Sequence, residues 1–99
     1  MNRKAPLDDY VVETLMPDLA GHDRAPSAFL VFLKLWHAGG GPEGRGAALS
    51  LQTLASETGL SKSTVQAAIR GLKRRGYLAA MRASPTAIPV YRVRAPWRH

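Results

Sequence analysis

The sequence predicts a mainly α-helical chain closed by a small β-hairpin, and three observations carry that expectation. Two short segments with helical periodicity flank a turn at Thr58–Gly59–Leu60–Ser61. An apolar helical segment, Ser27–Ala38, precedes them. Two alternating segments follow, around Ser84–Pro85–Thr86–Ala87, in the pattern of a hairpin with a proline at its tip. A chain of 99 residues supports one modest core and is expected to form one domain. Its parts are an N-terminal extension at 1–25, a first core helix at 26–38, a helix pair at 50–76 and the hairpin at 77–94.

Taken in order, Met1–Pro6 reads as a loose, basic end. In Asp8–Met16, Asp8 or Asp9 is placed to cap a short helix with Tyr10, Val11 and Leu15 along one side, but Val11, Val12 and Thr14 equally suit a strand. Pro17 ends the element in either case, and Asp18–Arg24 reads as a polar connector. Pro26 stands where the first turn of a helix tolerates proline. Ser27–Ala38 is apolar on nearly every side, with Lys34 and His37 as exceptions, so it is expected to be buried within the chain or against a second copy. Gly39, Gly40 and Gly41 stop it, and Pro42–Gly46 extends the break into a flexible loop. Ala47–Leu49 suits a short strand. Ser50 caps Leu51–Thr58, and Gly59 closes that helix. Ser61 caps a second helix that runs to Arg75 and stops at Gly76. Tyr77–Ala83 and Ile88–Arg94 are the hairpin strands, and Pro96 ends the second.

Charge narrows the function. Residues 1–60 carry five Lys or Arg against all seven acids, a net of −2, whereas residues 61–99 carry nine Lys or Arg and no acid, a net of +9. A solvated surface normally mixes signs, so a wholly basic half points to a polyanionic partner. No apolar run approaches the roughly 18 residues of a membrane span, and Arg3 and Lys4 are followed by Asp8 and Asp9 rather than by the apolar stretch of a secretory signal. The absence of cysteine removes disulfides and thiolate metal sites and fits a reducing cytoplasm. The glycines at 39–46 lack phosphate-loop spacing, and His22–Asp23 near Asp18 is only a fragment of a metal-ligand pattern. With no nucleophile–base arrangement either, the expectation is a binding protein without enzyme activity, cofactor or metal.

Two short helices joined by a glycine-containing turn form the helix-turn-helix pattern. Leu60 sits apolar within the turn, with Leu51, Leu54 and the small Ala55 facing it. At 100° per residue, Val65, Ala68, Ile69 and Leu72 fall within a stripe about 100° wide that faces the core. Ser63, Gln66, Ala67, Arg70 and Arg74 occupy the opposite arc. Arginine forks onto guanine, glutamine onto adenine, serine adapts to either, and Ala67 is small enough to meet a thymine methyl. Ser61, Lys62 and Thr64 lie at the helix start, where backbone amides attract phosphate, and Lys73, Arg74 and Arg75 crowd its last turn. In the hairpin, Tyr91 and Val93 share one face and Arg92 and Arg94 the other, with Arg82 near the tip, placing arginines within reach of a neighbouring groove or its phosphates.

The segment LSLQTLASETGLSKSTVQAAIRGLKRRGYL resembles the winged helix-turn-helix families of bacteria. It is similar to regulators of the MarR and GntR type, and closer to the helix-turn-helix modules of plasmid and phage replication initiator proteins. The matching residues are Leu54–Ala55, Thr58–Gly59–Leu60–Ser61, Thr64–Val65, Ile69, Leu72 and Arg75–Gly76–Tyr77–Leu78, and the likeness extends over roughly residues 26–94. The resemblance implies a winged helix-turn-helix fold, a three-helix core plus a β-hairpin wing. It carries Ser61, Lys62, Ser63, Thr64, Gln66 and Arg70 over as DNA contacts. A homodimer is expected, because one such helix reads only a few base pairs, with Ala28–Trp36 and Tyr10–Met16 as its interface. The setting implied is transcription regulation, or replication and plasmid maintenance, at the nucleoid in a bacterial cytoplasm.

Three competing readings stand beside this one. The scaffold can serve as a protein-interaction adaptor whose basic face meets an acidic partner. Tyr77, Tyr91 and Trp97 can serve as stacking platforms for single-stranded nucleic acid. An exposed amphipathic helix carrying Val65, Ile69 and Leu72 can lie on a membrane, although the same residues are needed to close the core. Trp36 reads as core or a subunit contact, and Trp97 as a cap on the core or a base-stacking residue.

Overall fold

Each core helix begins where the sequence offers a cap or a proline. In the computed structural model of the chain, which describes residues 5–98, helix α1 spans Pro26–Gly39 with Pro26 in its first turn. Helix α2 spans Leu51–Thr58 behind Ser50, whose Oγ accepts the Thr53 amide at 3.1 Å. Helix α3 spans Lys62–Arg74 behind Ser61, whose Oγ accepts the Thr64 amide at 3.2 Å. Between α2 and α3, Gly59 turns the chain at a φ of +77°, a left-handed conformation that glycine adopts without strain. Leu60 is half-buried against the core, and Lys34 of α1 pairs with Glu57 of α2 at 2.8 Å.

Ahead of α1 the chain is helical as well. Val11–Leu15 and Asp18–His22 are wide-turned π-helical segments of one run that passes through Pro17. The strand alternative is not realised, Pro17 does not end the element, and Asp18–Arg24 is no mere connector. Apolar spacing explains the difference: Val11, Leu15 and Leu19 recur every fourth residue, and all three are buried. Pro17 stands at the joint of the two wide-turned segments, where its φ of −64° fits the helical path. Asp8 receives the Val11 amide on its backbone carbonyl at 3.0 Å, not on its side chain, which is engaged elsewhere. Of the loose end expected at Met1–Pro6, residues 1–4 lie outside the described residues, and the Ala5 carbonyl accepts the Trp36 Nε1–H at 3.3 Å.

Strands β1 (Ala47–Ala48), β2 (Leu78–Met81) and β3 (Val90–Val93) form an antiparallel sheet in the order β1-β3-β2. The hairpin register pairs Leu78 with Val93 and Met81 with Val90, and β1 pairs Ala47 with Tyr91. Both hairpin strands are shorter than the alternation predicted. Tyr77 turns its amide back to the Leu72 carbonyl at 2.9 Å. At the other end, the chain leaves the ladder after Met81 and turns at the tip, where the Ala87 amide reaches the Ser84 carbonyl at 3.1 Å. The expected flexible loop at 39–46 is instead a hydrogen-bonded return: Gly44 N–H meets the Gly41 carbonyl at 3.1 Å and Gly46 N–H the Gly39 carbonyl at 3.2 Å. This brings β1 alongside β3.

Helix α1 is the centre of the fold. Val31, Phe32, Leu35 and Trp36 are fully enclosed, with Leu54, Val65, Leu72 and Val93 closing around them in one continuous core. Each such side chain contributes about 1.5–3 kcal/mol relative to exposure. The two segments expected to form a dimer interface are Ala28–Trp36 and Tyr10–Met16. Most of these apolar side chains are covered by the chain's own elements, because the N-terminal helical run packs on α1; Leu30, Val12 and Met16 remain exposed.

Candidate nucleic-acid interface

Helix α3 divides sharply into two faces. Val65, Ala68, Ile69 and Leu72 are buried, as the 100° spacing requires. Lys62, Ser63, Gln66, Ala67, Arg70, Lys73 and Arg74 are all exposed, and Thr64 is half-buried. The first turn is locked by its hydroxyls: Ser61 Oγ donates to Thr64 Oγ1 at 2.9 Å and lies 3.2 Å from Ser63 Oγ. Ser61 and Thr64 thus form a cap, and Ser63 is exposed beside it. Arg75 is tied back by an ion pair to Asp23, with its guanidinium 5.6 Å from the Tyr77 ring centre.

The electrostatics favour an anion on this face. Five of the seven acids are engaged: Asp8 and Glu43 with Arg98, Asp18 with His22, Asp23 with Arg75, and Glu57 with Lys34. Among the described residues, no acid lies within ion-pair distance of Lys62, Arg70, Lys73 or Arg74. The metal-site fragment dissolves in the same pairings, since His22 Nδ1 meets Asp18 Oδ1 at 3.2 Å while Asp23 turns to Arg75. The described residues hold no cluster of three possible metal ligands.

In the hairpin, Tyr91 and Val93 are buried and Arg92 and Arg94 exposed, as alternation predicts. Arg82 stands at the start of the tip loop, where its Nη1 donates to the Pro85 carbonyl at 3.1 Å and braces the turn. Arg45 escaped the sequence reading. It lies in the glycine loop, 47 positions before Arg92, yet it lines the same outer groove of the sheet as Arg92 and Arg94. Only the pairing of β1 with β3 brings it there, and no local pattern announces that pairing.

The aromatic platforms for single-stranded nucleic acid are not on offer. Tyr77 and Tyr91 are buried, and burial pushes the Tyr91 hydroxyl above its ordinary pKa. Trp97 lies flat against Tyr10, with ring centres 4.5 Å apart, and near-parallel to Trp36 at 6.5 Å. Its Nε1–H donates to Asp8 Oδ2 at 2.8 Å. Arg98 grips the same carboxylate with Nε at 2.8 Å and Nη2 at 2.7 Å. The Arg98 hydrogen bonds first, then the Trp97 bond, hold the Asp8 carboxyl below its usual pKa. Trp97 is therefore a cap on the core that clasps the two ends of the chain. Val65, Ile69 and Leu72 are likewise buried, which leaves no apolar face on α3 for a membrane. Among the described residues no helix is long and apolar enough to cross one.

A three-helix core centred on α1, a glycine turn before an outward basic helix and a closing hairpin define a winged helix-turn-helix. A family model described as a helix-turn-helix domain matches residues 25–78, more than half of the 99-residue chain. The chain belongs to that family. No curated protein and no solved structure matches it. Membership points to DNA binding in general.

Proposed function

We propose that the protein is a sequence-specific reader of double-stranded DNA that inserts α3 into the major groove. The observation that carries this is the unneutralised outer face of α3, on which base-reading and phosphate-holding side chains stand together without acids. Ser63, Gln66 and Arg70 read base edges, and Ala67 lets the helix lie close to the groove. Lys62, Lys73 and Arg74 hold phosphates, with the capping hydroxyls of Ser61 and Thr64 at the backbone-facing first turn. In the wing, Arg82 contacts the flanking backbone, while Arg92 and Arg94 add to the basic field that captures the duplex. The protein works as a homodimer through side chains that stay exposed on the N-terminal run and α1, namely Val12, Met16 and Leu30. Its role is that of a transcription regulator, or of the DNA-reading part of a replication or plasmid-maintenance system, at the nucleoid of a bacterial cytoplasm.

The test is a salt titration of binding to random duplex, to single strands and to a duplex pool selected for tight binding. If about six phosphates are neutralised, log affinity falls against log salt with a slope of about −5. An enriched duplex motif with this slope supports the reading. A slope near zero with no motif sinks it. Arg70→Ala relaxes base preference, costing about 1–3 kcal/mol on the selected site, while Lys73→Ala weakens all duplexes alike. Equal losses for Arg70→Ala on selected and random DNA refute its reading role.

A further inference from the structure

The outer face of the sheet is built unlike a solvated surface. By strand alternation Ala79 and Met81 of β2 lie on the same side as Val90 and Arg92 of β3, with Arg94 just past its end, opposite the buried Leu78, Tyr91 and Val93. Together with Arg45 they line a groove of about 240 Å³. Its floor is apolar and wet: Met81 is 75% exposed and Val90 38%, with Ile88 at 59% just beyond in the tip loop. Its rim is three arginines, none within ion-pair distance of an acid among the described residues. Arg45 is held at this rim by the residue after it. Gly46 has a φ of +88°, and a Cβ there would stand 2.8 Å from the Tyr91 carbonyl oxygen, so the chain passes tight against β3.

We propose that this groove docks an acidic segment of a partner protein, with an apolar side chain of that segment seated between Met81 and Val90 and its carboxylates forked by Arg45, Arg92 and Arg94. Charge complementarity fixes the sign of the occupant: three guanidinium groups and no acid line the groove. The apolar floor fixes its class. A phosphate backbone satisfies arginines but leaves exposed methionine and valine uncovered, whereas apolar surface rimmed by charge is the build of a protein-docking site. The groove runs from Met81 and Val90 at the tip end of the ladder to Arg94 at the base of the hairpin, where the Arg94 amide bonds the Tyr77 carbonyl at 2.8 Å. The groove is separate from the outer face of α3; its Arg92 and Arg94 also belong to the basic field proposed to capture the duplex, while base reading by α3 does not depend on it.

The probe is a fluorescein-labelled peptide of alternating glutamate and leucine, titrated against the full chain by fluorescence anisotropy, beside the same peptide with glutamine for glutamate and a random DNA duplex. The acidic peptide binds and the glutamine peptide does not. Arg45→Ala combined with Arg92→Ala weakens the acidic peptide by about tenfold or more, and Met81→Ser weakens it separately. Arg70→Ala leaves it unchanged while altering duplex selection. All these positions are exposed, and unchanged circular dichroism checks the fold of each variant. The proposal is overturned if the peptide fails to bind, if the double arginine variant binds it as well as the parent does, or if that variant loses more affinity for duplex than for peptide. The last result assigns the groove to the phosphate backbone. Loss of duplex selection with peptide binding intact strikes only the DNA reading.

Discussion

Two glycines that look alike in the sequence have opposite consequences in the fold. Gly46 sits at positive φ with the Tyr91 carbonyl oxygen where a Cβ would go, and Gly71 lies inside α3 with only Arg74 Nη2, at 3.8 Å, near a Cβ position. Gly46→Ala is therefore expected to destabilise by about 1–3 kcal/mol through backbone strain and a backbone clash. Gly71→Ala is expected to stabilise by about 0.5–1 kcal/mol, because it removes the conformational freedom of a helix-interior glycine and meets ordinary contact. Urea midpoints of the two variants check both signs, and a destabilised Gly71→Ala would show that Arg74 does not yield to the added methyl. Ser50→Ala removes the cap of α2 at about 1 kcal/mol. The caps were legible, since Ser50 and Ser61 each precede a periodic segment. The opposite fates of the two glycines were not, because each depends on what the fold brings near the missing Cβ.

At the scale of elements, one carboxylate clasps the N-terminal helical run to the C-terminal tail. Asp8 accepts from Trp97 and Arg98, and Trp97 stacks on Tyr10. The Asp8 pKa is lowered by these bonds, so their contribution is complete at neutral pH, above the unfolded carboxylate value. It is lost as the pH falls through the lower, folded value. Arg98, whose pKa is raised by the same contact, stays charged throughout that range. Asp8→Asn should cost about 1 kcal/mol at neutral pH, and the variant should lose less stability than the parent on acidification to about pH 3. Trp97 and Trp36 fluorescence during denaturation reads this out. Identical acid sensitivity in parent and variant would exclude Asp8 as the clasp. The clasp joins residues 89 positions apart, which is why the sequence showed only a basic tail with a tryptophan of undecided role.

For the whole molecule, the partition of charge matters more than its total. The acids of residues 1–60 are consumed largely in holding elements together, leaving α3 and the sheet exterior basic. Two basic surfaces result, one polar and helical, the other apolar-floored. The proposed dimer follows from the short reach of one recognition helix, and mass measurement in solution and on DNA checks it: a monomer under both conditions removes it. If the dimer forms through the N-terminal run and α1, Leu30→Lys reduces operator affinity without altering the salt slope per protomer.

By itself the sequence determined the helix-turn-helix, because its signals are local. Serine caps, a glycine turn and apolar residues at helical spacing act within a few residues of one another, and they fixed both α3 and its outward arc. Alternation likewise placed Tyr91 and Val93 inward and Arg92 and Arg94 outward. Tertiary structure alone decided what lies between distant segments. It carried helix through Pro17 because Val11, Leu15 and Leu19 joined the common core, with Asp18–His22 packed on α1, and it made Trp97 the core's lid rather than a base-stacking residue. It also brought Arg45 to the sheet exterior through a strand pairing that no local pattern encodes.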